Sequence, residues 1–201
     1  MEARGPRAEQ SGATRAALVE AARELFAERG YAGVGTEEIV RRARVTRGAL
    51  YHHFEDKKDL FRAVHEGLEA ELAQTIGAQL AAGGATDALE LLRTGVRTFL
   101  DACTDRALAR IVLVDAPSVL GWREWREIDE RHGLGLVTAG LQAAMEAGDI
   151  APQPVKPLAH LLLGAMGEAG MLIANAGDPD ATRREVEPAL LALLDGLHGR
   201  E

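Results

Sequence analysis

The sequence predicts an all-α protein, and three observations carry that expectation. Hydrophobic residues make up 47% of the 201 positions while aromatics make up 4%. β-Branched residues rarely cluster, and no run between turn residues alternates with period two, so strand signals are missing. Apolar residues instead recur at helical spacing, as in Leu18, Ala22, Leu25 and Phe26, which fall at i, i+4, i+7 and i+8. A chain of this length holds one large domain or two small ones.

The first helix is expected from Thr14, acting as its cap, to about Arg29, with Gly30 ending it. Residues 1–13 are polar, lack the apolar core of a signal peptide, and are expected to form a disordered arm in which Arg4 and Arg7 are candidates for minor-groove contact. Helix two runs from about Glu37 to Ala43, with carboxylates in its first turn where the dipole favours them and Ile39, Val40 and Ala43 facing inward. Arg44-Val45 makes a turn. Helix three, about Arg47 to Phe54, buries Leu50 and Phe54 and leaves Arg47, Gly48, Ala49, Tyr51, His52 and His53 around the rest of its surface. Thr36 and Thr46 stand where each short helix opens and can cap it. This is a helix-turn-helix whose second helix carries small, basic and aromatic side chains in place of a continuous apolar stripe, as a DNA-reading helix does.

Helix four opens at Asp56, where Asp56-x-x-Asp59 can act as a capping box, and Leu60, Phe61, Val64, Leu68 and Leu72 carry its stripe toward a break at Gly83-Gly84. It is long enough to connect two domains. Beyond the break, helices are expected over Leu89 to Cys103, Arg106 to Ala116 with an end near Pro117, and Trp122 to Ala147. Prolines 152, 154 and 157 mark the clearest loop, with Pro157 in the first turn of the next helix. Leu158 to Ala176 is apolar almost all round, with Gly164, Gly167 and Gly170 at three-residue spacing, and Arg184 to Leu197 turns Val186, Leu190, Leu193, Leu194 and Leu197 inward. Helices this apolar require cover on more than one side, which points to a homodimer interface over 158–176 and 184–198. The expected organisation is therefore an arm over 1–13, a three-helix DNA-binding domain over 14–62, and a helical bundle over 63–201.

The formal charge of −8 argues against a polyanionic partner until its distribution is considered. Residues 1–62 hold 12 Lys and Arg against 10 Asp and Glu, a net +2, whereas the remainder holds 11 against 21, a net −10. The basic excess sits with the helix-turn-helix, so double-stranded DNA remains a fitting partner. The single cysteine, Cys103, cannot form an internal disulfide, suits a reducing cytoplasm and is expected to be a small buried hydrophobe. No membrane span is expected, since the most apolar stretch is interrupted by His160 and Glu168.

The combination Gly30-Tyr31, Val34, Thr36, Ile39, Ala43, Val45-Thr46-Arg47-Gly48-x-Leu50-Tyr51-x-His53-Phe54 and Lys57-x-x-Leu60 resembles the TetR family of bacterial transcriptional regulators, over about 45 residues. The resemblance implies a homodimer that binds a two-fold symmetric operator and is released from it by a small effector held in its C-terminal bundle. It gives Thr36 and Thr46 phosphate contacts at helix N-termini, Arg47 a guanine edge, Tyr51 a base or phosphate, and His52 and His53 the backbone. Gly48 and Ala49 leave room for the groove, and Lys57 matches the family's phosphate-clamping lysine. Two positions depart from the pattern. Arg44 stands where glycine is common in the turn, so a left-handed backbone there costs on the order of 1 kcal/mol. Gly35 replaces a hydroxyl residue.

Effector contacts are sought among Arg97, Phe99, Trp122, Trp125, Met145, His160 and Met166, with His65 and Asp115 as further candidates, in the space between helix four and the helices over 86–147. Trp122, Trp125 and Ile128 are expected to face inward. No HExxH, GxSxG, Walker, CxxC or Rossmann fingerprint is present, so no enzymatic activity, metal or cofactor is expected.

Overall fold

The computed structural model describes residues 6–84 and 87–197, which form nine helical rods and no strand. Helix α1 spans Pro6–Arg29 and starts earlier than expected. Thr14 therefore lies inside it and donates its hydroxyl to the Gln10 carbonyl at 3.0 Å instead of capping. The reason is local: Pro6 suits a first turn, and most of the residues after it are good helix formers. Of the expected arm, residues 1–5, including Arg4, lie outside the described residues.

The inward face of α1, Leu18, Ala22, Leu25 and Phe26, is completely buried. Gly30 ends the helix at φ 71°, a left-handed turn suited to glycine. Helix α2 (Thr36–Arg42) is capped by Gly35 and not by Thr36, whose position inside the first turn leaves its hydroxyl uncommitted to the helix. Helix α3 (Arg47–His53) is capped as expected, with the Thr46 hydroxyl accepting from the Ala49 N–H at 3.1 Å. Between them Arg44 takes φ 56°, the left-handed conformation that a glycine would enter more cheaply.

Helix α4 (Lys57–Ala82) opens with Asp56 accepting from the Asp59 N–H at 2.7 Å, while the Asp59 carboxylate accepts from the Glu55 N–H at 3.1 Å. Its 26 residues span about 39 Å, enough to run from the helix-turn-helix through the C-terminal bundle. Helix α5 (Ala88–Ala102) packs along it.

The next two rods each contain a widened π-helical stretch. The first comprises α6 (Arg106–Leu108), the π segment π1 (Ala109–Asp115) and α7 (Ala116–Leu120). It continues past Pro117 because the absent proline N–H falls where the wide turn returns to α-helical register. The second comprises α8 (Trp122–Asp129), π2 (Glu130–Leu134) and α9 (Gly135–Ala147), and Gly121 at φ 88° turns the chain between the two rods.

Helix α10 (Val155–Ala174) has the length and apolarity of a membrane span, yet it packs against π1, α5, α9 and α11 with Leu162, Leu163, Met166 and Ile173 buried in the bundle. Helix α11 (Pro179–Asp195) begins five residues before the expected Arg184, capped by Asp178 with Pro179 in its first turn. Of the glycine triplet on α10, Gly170 faces inward, where an added Cβ would lie 3.0 Å from the Cys103 sulfur and 3.2 Å from Phe99. Gly164 and Gly167 have open space before them. Cys103 is buried, and burial pushes its thiol up to about 12.

Candidate nucleic-acid interface and the cavity behind it

Helix α3 is held by Leu50 and Phe54, both buried, and its other side chains are left to solvent. Arg47 and Tyr51 are one turn apart, and the guanidinium lies 5.5 Å from the Tyr51 ring centroid, so the two form one exposed unit. The Glu37 carboxylate on α2 sits 3.8 Å from Arg47. Both partners are exposed, and such a pair exchanges readily for a phosphate or base. His52 and His53 follow with ring centroids 5.1 Å apart. Burial, then the neighbouring His52 and Arg15, lower the His53 pKa, which favours the neutral ring. A Cβ on Gly48 would meet nothing closer than the Thr46 hydroxyl at 3.8 Å. The interior therefore has no need of glycine there, and the position opens to solvent.

Lys57 is placed differently from a free phosphate clamp. Its ammonium donates to the carbonyls of Tyr31 and Val34, both at 2.9 Å, and lies 4.0 Å from the Tyr31 ring centroid. Burial lowers its pKa. It thus braces the loop between α1 and α2, and one N–H remains uncommitted. Tyr31 in turn packs edge-on against Phe61 with centroids 5.2 Å apart.

The helix-turn-helix is tied to the bundle through that same loop. The Tyr31 N–H donates to Asp115 on π1 at 2.7 Å, and the Arg110 guanidinium, also on π1, covers the face of Gly30 where a side chain would stand. A second tie joins Glu124 on α8 to Arg62 and, at 3.2 Å, to Lys58, both on α4. Asp115 is therefore a link between domains and not a cavity residue. No sequence pattern distinguished the two roles.

Behind these ties lies a cavity in two lobes. The larger, of about 290 Å³, is enclosed by α4, α5, α8, π2, α9 and α10. The smaller, of about 210 Å³, adds π1 and both tryptophans. Glu69, Leu72, Phe99, Asp129 and Leu163 border both. Of the expected effector residues, Phe99 and Met166 line the larger lobe, and Trp122 and Trp125 line the smaller. Trp122 nonetheless stays 68% exposed, against the expectation that it faces inward.

Arg97, Met145, His160 and His65 do not border either lobe. Arg97 pairs with Glu90 at 2.8 Å and Glu187 at 3.1 Å, joining α5 to α11, and His160 lies 3.4 Å from Glu130. A basic group among acidic neighbours is held outside the apolar interior by the cost of losing them. The residue that periodicity overlooked is Glu69. A glutamate in the apolar stripe of α4 was the available signal. Burial and the nearby Asp129 push its carboxyl up to about 8, and burial pushes Asp129 up to about 6. His65, one turn before Glu69, is fully buried, and burial lowers it to about 4.

Comparison with known proteins adds to this geometry. Residues 18–64 match the family described as bacterial regulatory proteins, tetR family, and residues 89–197 match the tetracyclin repressor-like C-terminal domain. The chain is 29% identical over 164 residues to the transposon Tn10 TetC protein of Escherichia coli, covering 82% of each. It is 39% identical over 61 residues to the transcriptional regulator AcrR of Shigella flexneri, 30% of this chain and 28% of that one. Among solved structures, a TetR-family transcriptional regulator from Pectobacterium atrosepticum superposes with a TM-score of 0.84 at 34% identity, covering 98% of this chain and 99% of that one. RolR in complex with resorcinol shares the fold at a TM-score of 0.72 and 22% identity, over 96% of this chain and 97% of that one.

Proposed function

The chain belongs to the TetR family of bacterial transcriptional regulators, and from that premise we propose that it is a repressor whose α3 reads a two-fold symmetric operator and whose two-lobed cavity holds the effector that releases it. The observation that carries this reading is the exposed Arg47–Tyr51 unit beside Gly48, a position where the fold itself has room for a side chain. Arg47 reads a base edge, Tyr51 and the neutral His53 donate to phosphates or bases, and Thr36 and Thr46 place hydroxyls at the first turns of α2 and α3. Lys57 acts chiefly by fixing the loop on which the motif rests, with its third N–H left for a phosphate.

Homodimerisation through α10 and α11 is supported by three large apolar side chains left in solvent, Leu161 at 71%, Leu172 at 52% and Leu193 at 65% exposure. Leu161 and Leu172 are eleven residues apart and share one face of α10. Two copies then present two α3 helices to successive major grooves, a separation that a domain movement alters.

Ligand control requires differential affinity for two domain arrangements, about 2.7 kcal/mol for a hundredfold change in operator affinity. Segment π1 is suited to carry it, since Val112 and Leu113 line the smaller lobe while Asp115 holds Tyr31. Electrophoretic shift with DNA from upstream of the chain's own coding region tests the reading. Wild type should form a salt-sensitive complex, and Arg47→Ala should change its base preference. Wild-type protein that bound this and unrelated duplexes alike would refute it.

A further inference from the structure

The interior of the bundle contains polar atoms that nothing in the protein satisfies. Both His65 nitrogens and the Trp125 indole N–H are buried without a hydrogen-bond partner. The Glu69 carboxyl lies 3.8 Å from His65, beyond hydrogen-bonding distance, and borders both lobes of the cavity. Trp125 lines the smaller lobe. Buried polar groups left unpaired are costly; the Trp125 N–H and the Glu69 carboxyl stand on the wall of an otherwise apolar space, with His65 buried behind Glu69 and off that wall, and unpaired groups so placed are the mark of a site completed by a ligand.

The chemistry of that ligand follows from the groups that border it. Neither lobe is lined by a lysine, and the arginine at the smaller one, Arg126, is already held by Asp129 at 3.0 Å. An anionic effector would therefore meet three carboxyl groups, Glu69, Asp129 and Glu168, and one imidazole, His132, with no free lysine or arginine. A cationic effector would require Glu69 to ionise in apolar surroundings, whereas its raised pKa keeps it protonated near neutral pH. An uncharged group remains. A protonated carboxyl both donates and accepts, a neutral imidazole does the same, and an indole donates. A hydroxyl can serve both groups on the wall, the Glu69 carboxyl and the Trp125 indole, while a carbonyl leaves the carboxyl oxygen that accepts unmet.

We propose that the effector is an uncharged, mostly apolar molecule whose hydroxyl, alcoholic or phenolic, hydrogen-bonds to the Glu69 carboxyl where the two lobes meet. The inference rests on the cavity being the effector site. The walls contributed by Leu72, Phe99 and Leu163 suit a ring or short hydrocarbon body on either side of that hydroxyl.

Calorimetric titration of the full chain at pH 7 with four matched probes tests it: 2-naphthol, 2-methylnaphthalene, 2-naphthoate and 2-naphthylmethylammonium. The expected result is that 2-naphthol binds at least about tenfold more tightly than each of the others, because a site that must pair its polar groups rejects a ligand that cannot. Glu69→Leu should bind 2-naphthol and 2-methylnaphthalene within about twofold of each other, and Glu69→Gln should keep the preference, with melting curves checking that both variants fold. Tighter binding of the carboxylate or the ammonium, a preference that survives Glu69→Leu, or binding of none of the four would overturn the proposal. Operator affinity measured on the same wild-type samples separates the two readings. Hydroxyl-selective binding that leaves the operator complex intact counts against control through the cavity, not against the ligand class.

Discussion

Replacing Lys57 by methionine separates bracing from clamping. The side chain keeps its length and loses the ammonium, and with it two bonds of 2.9 Å to the Tyr31 and Val34 carbonyls and the cation–π contact 4.0 Å from the Tyr31 centroid. Hydrogen bonds to a charged group contribute about 1.5–3 kcal/mol each, and the ring contact about 0.5–1 kcal/mol. Lys57 is only partly buried, so solvent screening takes the expected loss below the low-end sum of about 3.5 kcal/mol, to about 2–3 kcal/mol. For a chain of this size that lowers the melting temperature by about 5–10 °C. Operator affinity should fall as well, because the loop between α1 and α2 sets where the motif sits. The assay is thermal melting monitored by circular dichroism beside a salt titration of operator binding. An unchanged melting temperature combined with a shallower salt slope would refute the bracing role and restore Lys57 as a simple phosphate contact.

Three further outcomes follow from the same geometry. Gly48→Ala should stabilise the protein by up to about 1 kcal/mol, since alanine favours a helix and its Cβ meets nothing closer than 3.8 Å, yet it should weaken operator binding; unfolding curves and fluorescence anisotropy would show the opposite signs. Glu69 is raised from 4.5 to about 8, so the folded state binds more protons than the unfolded one across that window and stability is lost as pH rises. Above pH 7 His65 and Asp129 are nearly fully deprotonated in both states, so the unfolding free energy from urea titrations should fall by about 1 kcal/mol between pH 7 and 8 in wild type and stay nearly flat in Glu69→Gln. Leu161→Glu and Leu193→Glu should each yield monomers by sedimentation, with operator binding lost and the melting curve of the subunit still cooperative.

The helix-turn-helix was legible because each signal was local. Asp56 and Thr46 cap where their side chains stand next to the backbone they serve, and Arg44 enters the left-handed turn that glycine would occupy more easily. The start of α1 at Pro6 and of α11 at Pro179 were misjudged because apolar periodicity marks a buried face, while a helix continues over exposed residues as long as propensity allows. The cavity was legible in outline only. Periodicity places Arg97, Met145 and His160 on helices of the bundle but says nothing of which neighbour each helix turns toward, and pairing with acidic side chains held the arginine and the histidine outside. The two π segments leave no recognisable sequence mark, although both border the cavity. Lys57 shows a further limit, since a motif lysine can serve the protein's own carbonyls as well as DNA.

The most direct test of the account is selection of duplexes from a randomised pool by the purified wild-type protein, followed by sequencing. The account predicts enrichment of a two-fold symmetric site with half-sites about one helical turn or a multiple of it apart, and a changed base preference within each half-site for Arg47→Ala. Absence of enrichment, or an asymmetric site whose preference ignores Arg47→Ala, would contradict the assignment of α3 as the element that reads DNA.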